Sequence, residues 1–254
     1  MLGSMIAARR RAYLPQSERI FTAFGSRPDV ARCNIIDDLV KRLISSGVWG
    51  TLDLLYVGAA SSLSAASINW VNPGQFSLSV VGTPTFAADS GWTTPNSALS
   101  YYDTAWDAAT NAVKLSQNDA HIGGWTIANG TGSGGFFGTI SAAYLQVNNE
   151  DNAGGRITSS SSITKAAGAR TGYIVGARRS DAANVVFSLD GAATSSHAAA
   201  SSALSSVDVC IGIGNSSPSS GTTSLVHLGS QLSDAQIASA YSAFQTYLRS
   251  VGAI

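Results

Sequence analysis

The most regular apolar pattern in the chain lies close to its C-terminus and is typical of an amphipathic helix. Ser233 and Gln236 have the spacing of a capping box, and Leu232 stands where a hydrophobic staple would begin. Four apolar residues then recur at intervals of four, three and four positions: Ile237, Tyr241, Phe244 and Leu248. The pattern predicts a helix over residues 233–250 whose apolar side covers another part of the protein.

A second amphipathic pattern lies nearer the N-terminus. Ser26 and Asp29 provide N-terminal capping residues, and Gly47 is a C-terminal stop signal. Five residues between them form an apolar side: Ile36, Leu39, Val40, Leu43 and Ile44. We therefore predict a helix over residues 27–46, followed by a strand over residues 48–57, where apolar residues partly alternate.

The chain between these two helices consists of short strand-like segments separated by turn signals. They include residues 67–71, 76–81, 112–118, 121–128, 136–140, 143–148, 156–163, 172–178, 185–189 and 207–213. The pair Asp190-Gly191 is typical of a hairpin turn. No helical pattern lies between the segments, as a parallel sheet would require. The sequence therefore predicts an all-β antiparallel sandwich with one helix near each end of the chain.

Residues 1–25 show no regular pattern and are predicted to form an extended arm. Its most distinctive side chains are Arg9, Arg10, Arg11 and Tyr13. Such an arm is either a frayed terminus or an attachment arm that ties the domain to a neighbouring subunit. The three arginines precede no apolar segment, so we expect no signal peptide. We also expect no membrane insertion, because no run of residues is apolar enough to span a bilayer.

The composition narrows the possible partners and chemistry. Charged residues make up 12% of the chain and the formal net charge is zero. Nucleic-acid binding depends on neutralising phosphates, so a nucleic-acid partner is not expected. Thirteen aspartates contrast with only two glutamates, Glu18 and Glu150. Cys33 and Cys210 are predicted to be buried free thiols, with a disulfide or a reactive thiol as the alternatives.

Three segments in the C-terminal part of the chain resemble the concanavalin A-like or laminin-G-like jelly roll. They are VVFSLDG at 185–191, VDVCIGIGN at 207–215 and LVHLGSQLSDAQI at 225–237. In the last segment, Leu232, Ser233 and Ile237 match the family's Leu-Ser-x-x-x-Ile signature at the start of the final helix. The segment at 31–60 looks like the helix-plus-strand lead-in of bacteriophage and prophage proteins that carry this domain.

The resemblance implies a domain organisation and a fold. Residues 1–25 would form the arm, and residues 26–58 would form a helix-strand lead-in packed on the body. Residues 59–254 would form the jelly roll, including the C-terminal helix. The expected fold is thus an all-β antiparallel jelly-roll sandwich with an N-terminal helix and a C-terminal capping helix.

The family that this chain resembles includes glycoside hydrolases, so catalysis has to be considered. A retaining glycosidase requires two carboxylates about 5 Å apart, and the resemblance implies two glutamates two positions apart on one strand. Glu150 lies in the turn-like segment 148–152 without a second glutamate nearby, and no equivalent aspartate pair lies on a predicted strand. We therefore expect no catalytic residues and no enzyme activity. A glycoside hydrolase or lyase is kept as the second alternative.

Metal binding has little support in the sequence. His121, His197 and His227 have no partner at metal-ligand spacing and are expected to be ordinary surface or core residues. The segment 148–152 (NNEDN) offers oxygen atoms that could bind calcium, and a solvated turn is the alternative interpretation. We expect no cofactor, with calcium as the one candidate ion.

Saccharide binding is harder to dismiss. Lectin-like folds stack an aromatic ring on a sugar face and use amide or carboxylate groups for its hydroxyls. Trp92, Tyr101 and Trp125 lie near predicted loops, and Asn129 borders the glycine-rich loop at 129–135. These four are the candidate ligand-binding residues. For the aromatic residues, filling the interior of the sandwich is the alternative role.

Two functional hypotheses follow from these observations. The first is a non-enzymatic structural protein of a bacteriophage virion, made in the host cytoplasm without a signal peptide. It would be a tail, fibre or capsid-decoration component whose partners are other virion proteins or copies of itself. The alternative is a glycan-binding adhesin or receptor-recognition module that contacts a host surface glycan.

Overall fold

The computed structural model describes residues 12–132, 134–140, 145–148, 152–168, 171–214 and 216–254. The helices are α1 (Pro15–Ala23), α2 (Val30–Ser45), α3 (Leu63–Ala66), α4 (Ala108–Asn111) and α5 (Asp234–Val251). A 3-10 helix spans Trp49–Thr51. The strands are β1 (Leu52–Val57), β2 (Ser79–Val81), β3 (Thr85–Ala87), β4 (Gly91–Thr94), β5 (Tyr101–Asp107), β6 (Asp119–Asn129), β7 (Phe137–Thr139), β8 (Leu145–Asn148), β9 (Asn152–Ile157), β10 (Ile163–Ala167), β11 (Gly172–Arg179), β12 (Asn184–Leu189), β13 (Ser195–Ala198), β14 (Asp208–Ile211), β15 (Ile213–Gly214), β16 (Ser217–Pro218) and β17 (Gly221–Gly229).

Two sheets dominate the described part of the chain. The first has the order β13-β12-β11-β6-β17-β4-β3, and β1 also pairs with β17. The second has the order β10-β9-β8-β7-β14-β5-β2, and β15 pairs with β16 in a small separate hairpin. Neighbouring strands pair antiparallel. The predicted antiparallel sandwich with an N-terminal and a C-terminal helix is therefore confirmed.

The first sheet is buried on both faces, and we call it the central sheet. On one face, the ring centroids of Tyr173 and His227 lie 6.0 and 5.3 Å from that of Phe244 in α5. On the other face, Gly176 lies against Ile157 of the second sheet, which we call the outer sheet. Successive residues of a strand point to opposite faces. The strands β6, β11 and β17 therefore alternate between contacts with the helices and contacts with the outer sheet.

Helix α5 confirms the helix predicted at the C-terminus. Ser233 Oγ accepts a hydrogen bond from Gln236 N at 3.2 Å, and Gln236 Oε1 accepts one from Ser233 N at 3.0 Å. Leu232 and Ile237 are both buried, as a hydrophobic staple requires. Gly252 follows the helix with a φ of 80°, a left-handed conformation that glycine adopts without a steric penalty. The local signals in this segment were sufficient to locate the helix.

Helix α2 begins at Val30 and not at the predicted residue 27. Its capping residue is Asp29, not Ser26: the Asp29 carboxylate accepts a hydrogen bond from the N–H of the third helical residue at 2.8 Å. A proline follows Arg27, and the residue before a proline is disfavoured in the helical conformation. Gly47 has a φ of 75°, so the predicted end of the helix is confirmed.

The predicted extended arm is wrong over its second half, which forms α1. Pro15 occupies the start of this helix, where its missing N–H has no cost. Ile20 and Phe21 are buried in the core, and Ser17 Oγ donates to Asp37 Oδ1 at 2.9 Å, which ties α1 to α2. A helix this short depends on tertiary packing, so its sequence alone gave no clear pattern. The remaining arm residues Arg9, Arg10 and Arg11 lie outside the described residues.

Two other predicted strands are loops because side chains hold their backbone. The Asp53 carboxylate accepts hydrogen bonds at 2.8–3.2 Å from three successive N–H groups, those of Val113, Lys114 and Leu115. This contact curls the segment predicted as strand 112–118. In the segment 67–71, Asn69 Oδ1 accepts from Leu55 N and from Val71 N, both at 3.2 Å. The side chains thereby replace the hydrogen bonds that a neighbouring strand would provide.

Candidate binding site

The structure does not bring the four predicted ligand-binding residues together. Trp92 is fully buried between the sheets, with its ring centroid 6.2 Å from that of Tyr102. Trp125 is only 5% exposed and lies under α5, on the opposite face of the central sheet. Tyr101 is half-buried on the outer sheet, and Asn129 is exposed at the end of β6. Trp92 and Trp125 are thus core residues, because strand alternation directs both rings into packed layers.

The structure describes only some residues of the other predicted sites. Tyr13 packs edge-on against Phe21 with 5.3 Å between ring centroids, so it belongs to the folded domain. In the candidate calcium segment, residues 149–151 lie outside the described residues, and Asn148 Nδ2 donates to the carbonyl of Asn152. Across the described ranges, no group of three or more His, Cys, Asp or Glu side chains is placed to hold a metal ion. Cys33 and Cys210 are buried free thiols, as predicted.

A cavity that combines tryptophan rings with polar side chains lies beside α1. Its volume is ≈ 150 Å³, and it opens between α1, the 3-10 helix and the loop at 70–73. Six residues line it: Gln16, Arg19, Trp49, Trp70, Val71 and Pro73. A neighbouring groove of ≈ 350 Å³ shares Arg19 and Pro73 with this cavity and continues along α1. We call the cavity and this groove together the α1 site.

Each wall of the α1 site is placed by a local structural reason. Gln16 and Arg19 are three positions apart on α1, so they share one side of the helix. The buried Phe21 lies on the opposite side of α1, and the buried Ile20 lies between the two sides, four positions after Gln16. On the facing wall, Trp70 N donates to Leu55 O at 2.8 Å, which fixes the loop against β1. The site therefore combines residues from separate segments of the chain.

The two tryptophans of the α1 site differ in exposure. Trp49 is half-buried and keeps part of its ring at the surface. Trp70 is 1% exposed, and its ring meets Tyr247 edge-on with 6.0 Å between centroids. Trp70 Nε1 has no hydrogen-bond acceptor in the described part of the chain. A buried indole N–H usually has a partner, so this donor is an unusual feature of the cavity.

The free charge at the α1 site is positive. Arg19 is exposed and forms no ion pair with any residue that the structure describes. The adjacent Glu18 is already engaged, because Arg27 donates to its two carboxylate oxygens at 2.6 and 2.9 Å. This hydrogen bonding lowers the pKa of Glu18 and raises that of Arg27. The Arg19 guanidinium is left to interact with solvent or a ligand.

Sequence reasoning missed a buried polar chain between the central sheet and α5. His121 Nδ1 contacts the Ser230 carbonyl, and His121 Nε2 lies 3.0 Å from His227 Nδ1. His227 Nε2 lies 3.0 Å from the Tyr173 hydroxyl. Both histidines are inaccessible to solvent, so this buried polar chain of side chains is a structural element and not a ligand site. The three residues come from three strands, and only their pairing in the sheet brings them together.

A carboxylate cluster on the outer sheet was also missed. Burial raises the pKa of Asp208, and the neighbouring Asp103 and Asp107 raise it further. Asp208 pairs with Asp107 across β14 and β5, where β5 carries a bulge. Asp103 Oδ1 accepts from Ala105 N at 2.9 Å. The cluster joins residues from two strands, so the search for aspartate pairs along a single strand could not find it.

Comparisons with known proteins identify the fold and no family. No protein-family model matches the chain, and no curated protein sequence matches it. Domain 4 of AbnA, a GH43 extracellular arabinanase from Geobacillus stearothermophilus solved in complex with arabinotriose, is 14% identical with a TM-score of 0.50. That alignment covers 74% of this chain and 97% of the arabinanase domain.

Two further similar structures are matched over about half of their own length or less. The receptor binding domain of botulinum neurotoxin C/D mosaic serotype is 9% identical, with a TM-score of 0.52 over 76% of this chain and 51% of the toxin domain. Trypanosoma rangeli sialidase is 9% identical, with a TM-score of 0.51 over 85% of this chain and 39% of the sialidase. This chain thus spans about half or less of these two proteins. Identities this low show a shared fold, a jelly-roll-like β-sandwich.

The helices were also compared with the requirements of a membrane span. None of those in the described residues combines the length and the apolar composition needed to cross a bilayer.

Proposed function

We propose that this chain is a non-catalytic saccharide-binding module and that the α1 site holds the sugar. The observation that carries the proposal is the cavity in which the half-buried Trp49 ring lies beside hydrogen-bonding groups of Gln16 and Arg19. The fold similarity to the arabinanase domain solved with arabinotriose supports the same ligand class.

The chemistry of the α1 site suits a sugar. The C–H groups of a sugar ring pack on an aromatic face, and its hydroxyls need nearby donors and acceptors. Trp49 supplies the face, Gln16 supplies both a donor and an acceptor, and Arg19 supplies donors only. The cavity of ≈ 150 Å³ is small, so it would hold one sugar unit. The adjoining groove of ≈ 350 Å³ would hold further units of an oligosaccharide.

A titration of the intact chain with a panel of neutral and acidic oligosaccharides tests the proposal. Trp49→Ala should weaken the affinity for any bound oligosaccharide on the order of tenfold, equivalent to about 1.4 kcal/mol. Tyr101→Ala is the matched control, since Tyr101 is also a half-buried aromatic residue but lies on the outer sheet. Both variants should melt close to the parent temperature.

Three results would contradict the proposal. One is no binding to any member of the panel. Another is loss of binding in Tyr101→Ala with Trp49→Ala unaffected, which would move the site to the outer sheet. The third is release of shorter oligosaccharides that is abolished by Asp208→Asn, which would make the chain an enzyme acting through the carboxylate cluster.

A second candidate function is a structural component of a bacteriophage virion, a tail, fibre or capsid-decoration protein. The lead-in resemblance at 31–60 motivates it, and one surface feature favours it. Val80 on the edge strand β2 is 49% exposed, and Leu99, whose carbonyl lies against Gly82 just after that strand, is 79% exposed. An apolar sheet edge of this kind can pair with another chain, so the partner would be a second copy or another virion protein.

This second candidate has its own test. Val80→Lys with Leu99→Ser should abolish incorporation of the chain into particles that lack their own copy, while saccharide affinity stays unchanged. Val113→Ser is the control, because Val113 is 82% exposed but lies away from that edge. Incorporation at the parent level in the double variant would contradict an attachment role for the β2 edge.

A further inference from the structure

We propose that the sugar bound at the α1 site is acidic and that its carboxylate is held by Arg19, with Trp70 Nε1–H donating to a second ligand oxygen. This inference rests on the proposed function and names the class of saccharide. Its first observation is that the side chains lining the cavity offer more hydrogen-bond donors than acceptors. Arg19 and Trp70 offer donors only, Gln16 offers both kinds of group, and no side chain that lines the cavity is a carboxylate. The adjoining groove is lined by one carboxylate, Glu18, which is paired with Arg27.

The Trp70 indole provides the first part of the argument. Its side chain is 1% exposed, and Nε1 has no acceptor among the residues that the structure describes. Burying a donor without an acceptor is unfavourable. Trp70 also lines the cavity, so an acceptor oxygen of a bound ligand would satisfy this N–H. A hydroxyl or a carboxylate oxygen can be this acceptor, so the Trp70 N–H calls for a ligand oxygen, and the charge of the ligand is selected by Arg19.

The Arg19 guanidinium provides the second part. Its neighbour Glu18 is held by Arg27 through two hydrogen bonds, so Glu18 does not neutralise Arg19. A guanidinium presents its donors in a planar fork that matches the two oxygens of a carboxylate. Arg19 lines both the cavity and the adjoining groove, so a sugar in either part of the site has this cation as a neighbour. A uronic-acid unit places a carboxylate directly on the sugar ring, which fits both features.

The test uses matched pairs of probes and calorimetric titration of the full chain. Each pair is an oligosaccharide of glucuronate, galacturonate or mannuronate and its carboxyl-reduced counterpart, in which the carboxylate becomes a neutral hydroxymethyl group. For the pair with the best-matched sugar, we expect the acidic member to bind on the order of tenfold more tightly or better, and the difference to shrink with added salt.

Two variants assign the preference to named atoms. Arg19→Met should abolish the difference between the two members of a pair, and Arg19→Lys should restore part of it. Trp70→Phe keeps an aromatic ring, although one smaller than the indole, and removes the N–H, so it should weaken both members of the pair and leave the preference for the acidic one. Lys165→Met is the control for net charge, because Lys165 lies on β10 at the far edge of the outer sheet. It should change neither affinity.

The outcomes separate this inference from the proposed function. Binding of neutral and acidic members with equal affinity, lost in Trp49→Ala, would overturn the inference and keep the saccharide-binding function. Acidic preference that persists in Arg19→Met would overturn the role of Arg19. An unchanged affinity in Trp70→Phe, with its melting temperature preserved, would assign that N–H to a bound water and overturn its role. Binding of no probe, together with none of the neutral panel, would overturn both proposals.

Discussion

The Nε2 atom of His121 lies 3.0 Å from Nδ1 of His227 in the fully buried layer beneath α5. The direction of each hydrogen bond follows from the partners at the two ends. The Ser230 carbonyl can only accept, so His121 Nδ1 carries a proton. A neutral His121 then accepts at Nε2 from His227 Nδ1–H, and His227 Nε2 accepts from the Tyr173 hydroxyl. With both imidazoles neutral, each of their four ring nitrogens has a hydrogen-bond partner.

This arrangement predicts loss of stability in mild acid. Burial lowers the pKa of His121 to about 4, and the hydrogen bond that His121 donates to the Ser230 carbonyl partly opposes this shift. Burial, followed by the neighbouring His121, lowers the pKa of His227 as well. In the unfolded chain both take up protons below a pKa of about 6.5. Protonation therefore favours the unfolded state, and stability that is present above pH 6.5 decreases as the pH falls.

We expect the free energy of unfolding to drop by about 2 kcal/mol between pH 7 and pH 5.5, in urea titrations at fixed salt. His197→Asn serves as the control, since His197 is half-buried at β13 and is not part of the hydrogen-bonded series formed by His121, His227 and Tyr173. It should retain this pH dependence. A parent protein with a flat profile over this range would show that the two imidazoles are not both neutral in the folded state.

Tyr173→Phe should destabilise the protein by about 1–3 kcal/mol, because it leaves the buried His227 Nε2 without a donor. The change removes one oxygen atom and leaves the ring in place. Tyr241→Phe is a matched control on the same face of the central sheet, where its ring lies 6.0 Å from that of Tyr173. Among the described residues, its hydroxyl has one hydrogen-bond partner, the Gln245 amide at 2.7 Å, so the expected change is below about 0.5 kcal/mol. Chemical denaturation that gives equal values for both variants would contradict the role assigned to Tyr173.

Arg178→Lys should destabilise the fold by about 3 kcal/mol, judged from the cost of disrupting buried charged networks. The buried guanidinium donates to the carbonyls of Ile157, Asp181, Asn184 and Ala199 and to the hydroxyl of Thr158. An ammonium has three donors and cannot reproduce the planar fork. Arg249→Lys, at an exposed position of α5, should leave the thermal melt unchanged. Similar melts for Arg178→Lys and the parent would show that these carbonyls find other partners.

Ser233→Ala should cost about 1 kcal/mol, because it removes the acceptor for the Gln236 N–H at the start of α5. Ser242→Ala, on the exposed side of the same helix, should be neutral or slightly stabilising, since alanine has the higher helix propensity. Thermal unfolding of the two single variants provides the comparison. A loss in Ser242→Ala that equals the loss in Ser233→Ala would indicate a general effect of serine removal and not a capping effect.

The sequence predicted those elements whose signals are local. The caps of α5 act over three or four residues, and the stop at Gly47 depends on one backbone conformation. The same local signals failed at α1, whose helical state depends on burying Ile20 and Phe21 in the core. They also misplaced the start of α2, where Ser26 and Asp29 were both suitable caps and backbone geometry selected Asp29.

The candidate site depended almost wholly on tertiary structure. Trp49 and Trp70 had no distinguishing pattern, and the Trp70–Leu55 backbone hydrogen bond is what places Trp70 in the wall of the cavity. Trp92 and Trp125 looked equally suitable in the sequence but face packed layers on opposite sides of the central sheet. The buried histidine pair likewise joins residues 106 positions apart.

The sequence by itself thus determined the fold class, the antiparallel strands and the C-terminal helix, because alternation, turn residues and caps act between near neighbours. Tertiary structure alone decided which aromatic rings remain at the surface and which polar groups lack a partner. Exposure and hydrogen bonding are set by the layer that packs against each residue, and that layer comes from distant parts of the chain. One such feature is the Trp70 N–H, which has no acceptor among the described residues and lines one cavity with Arg19 only after α1 has packed against the loop at 70–73.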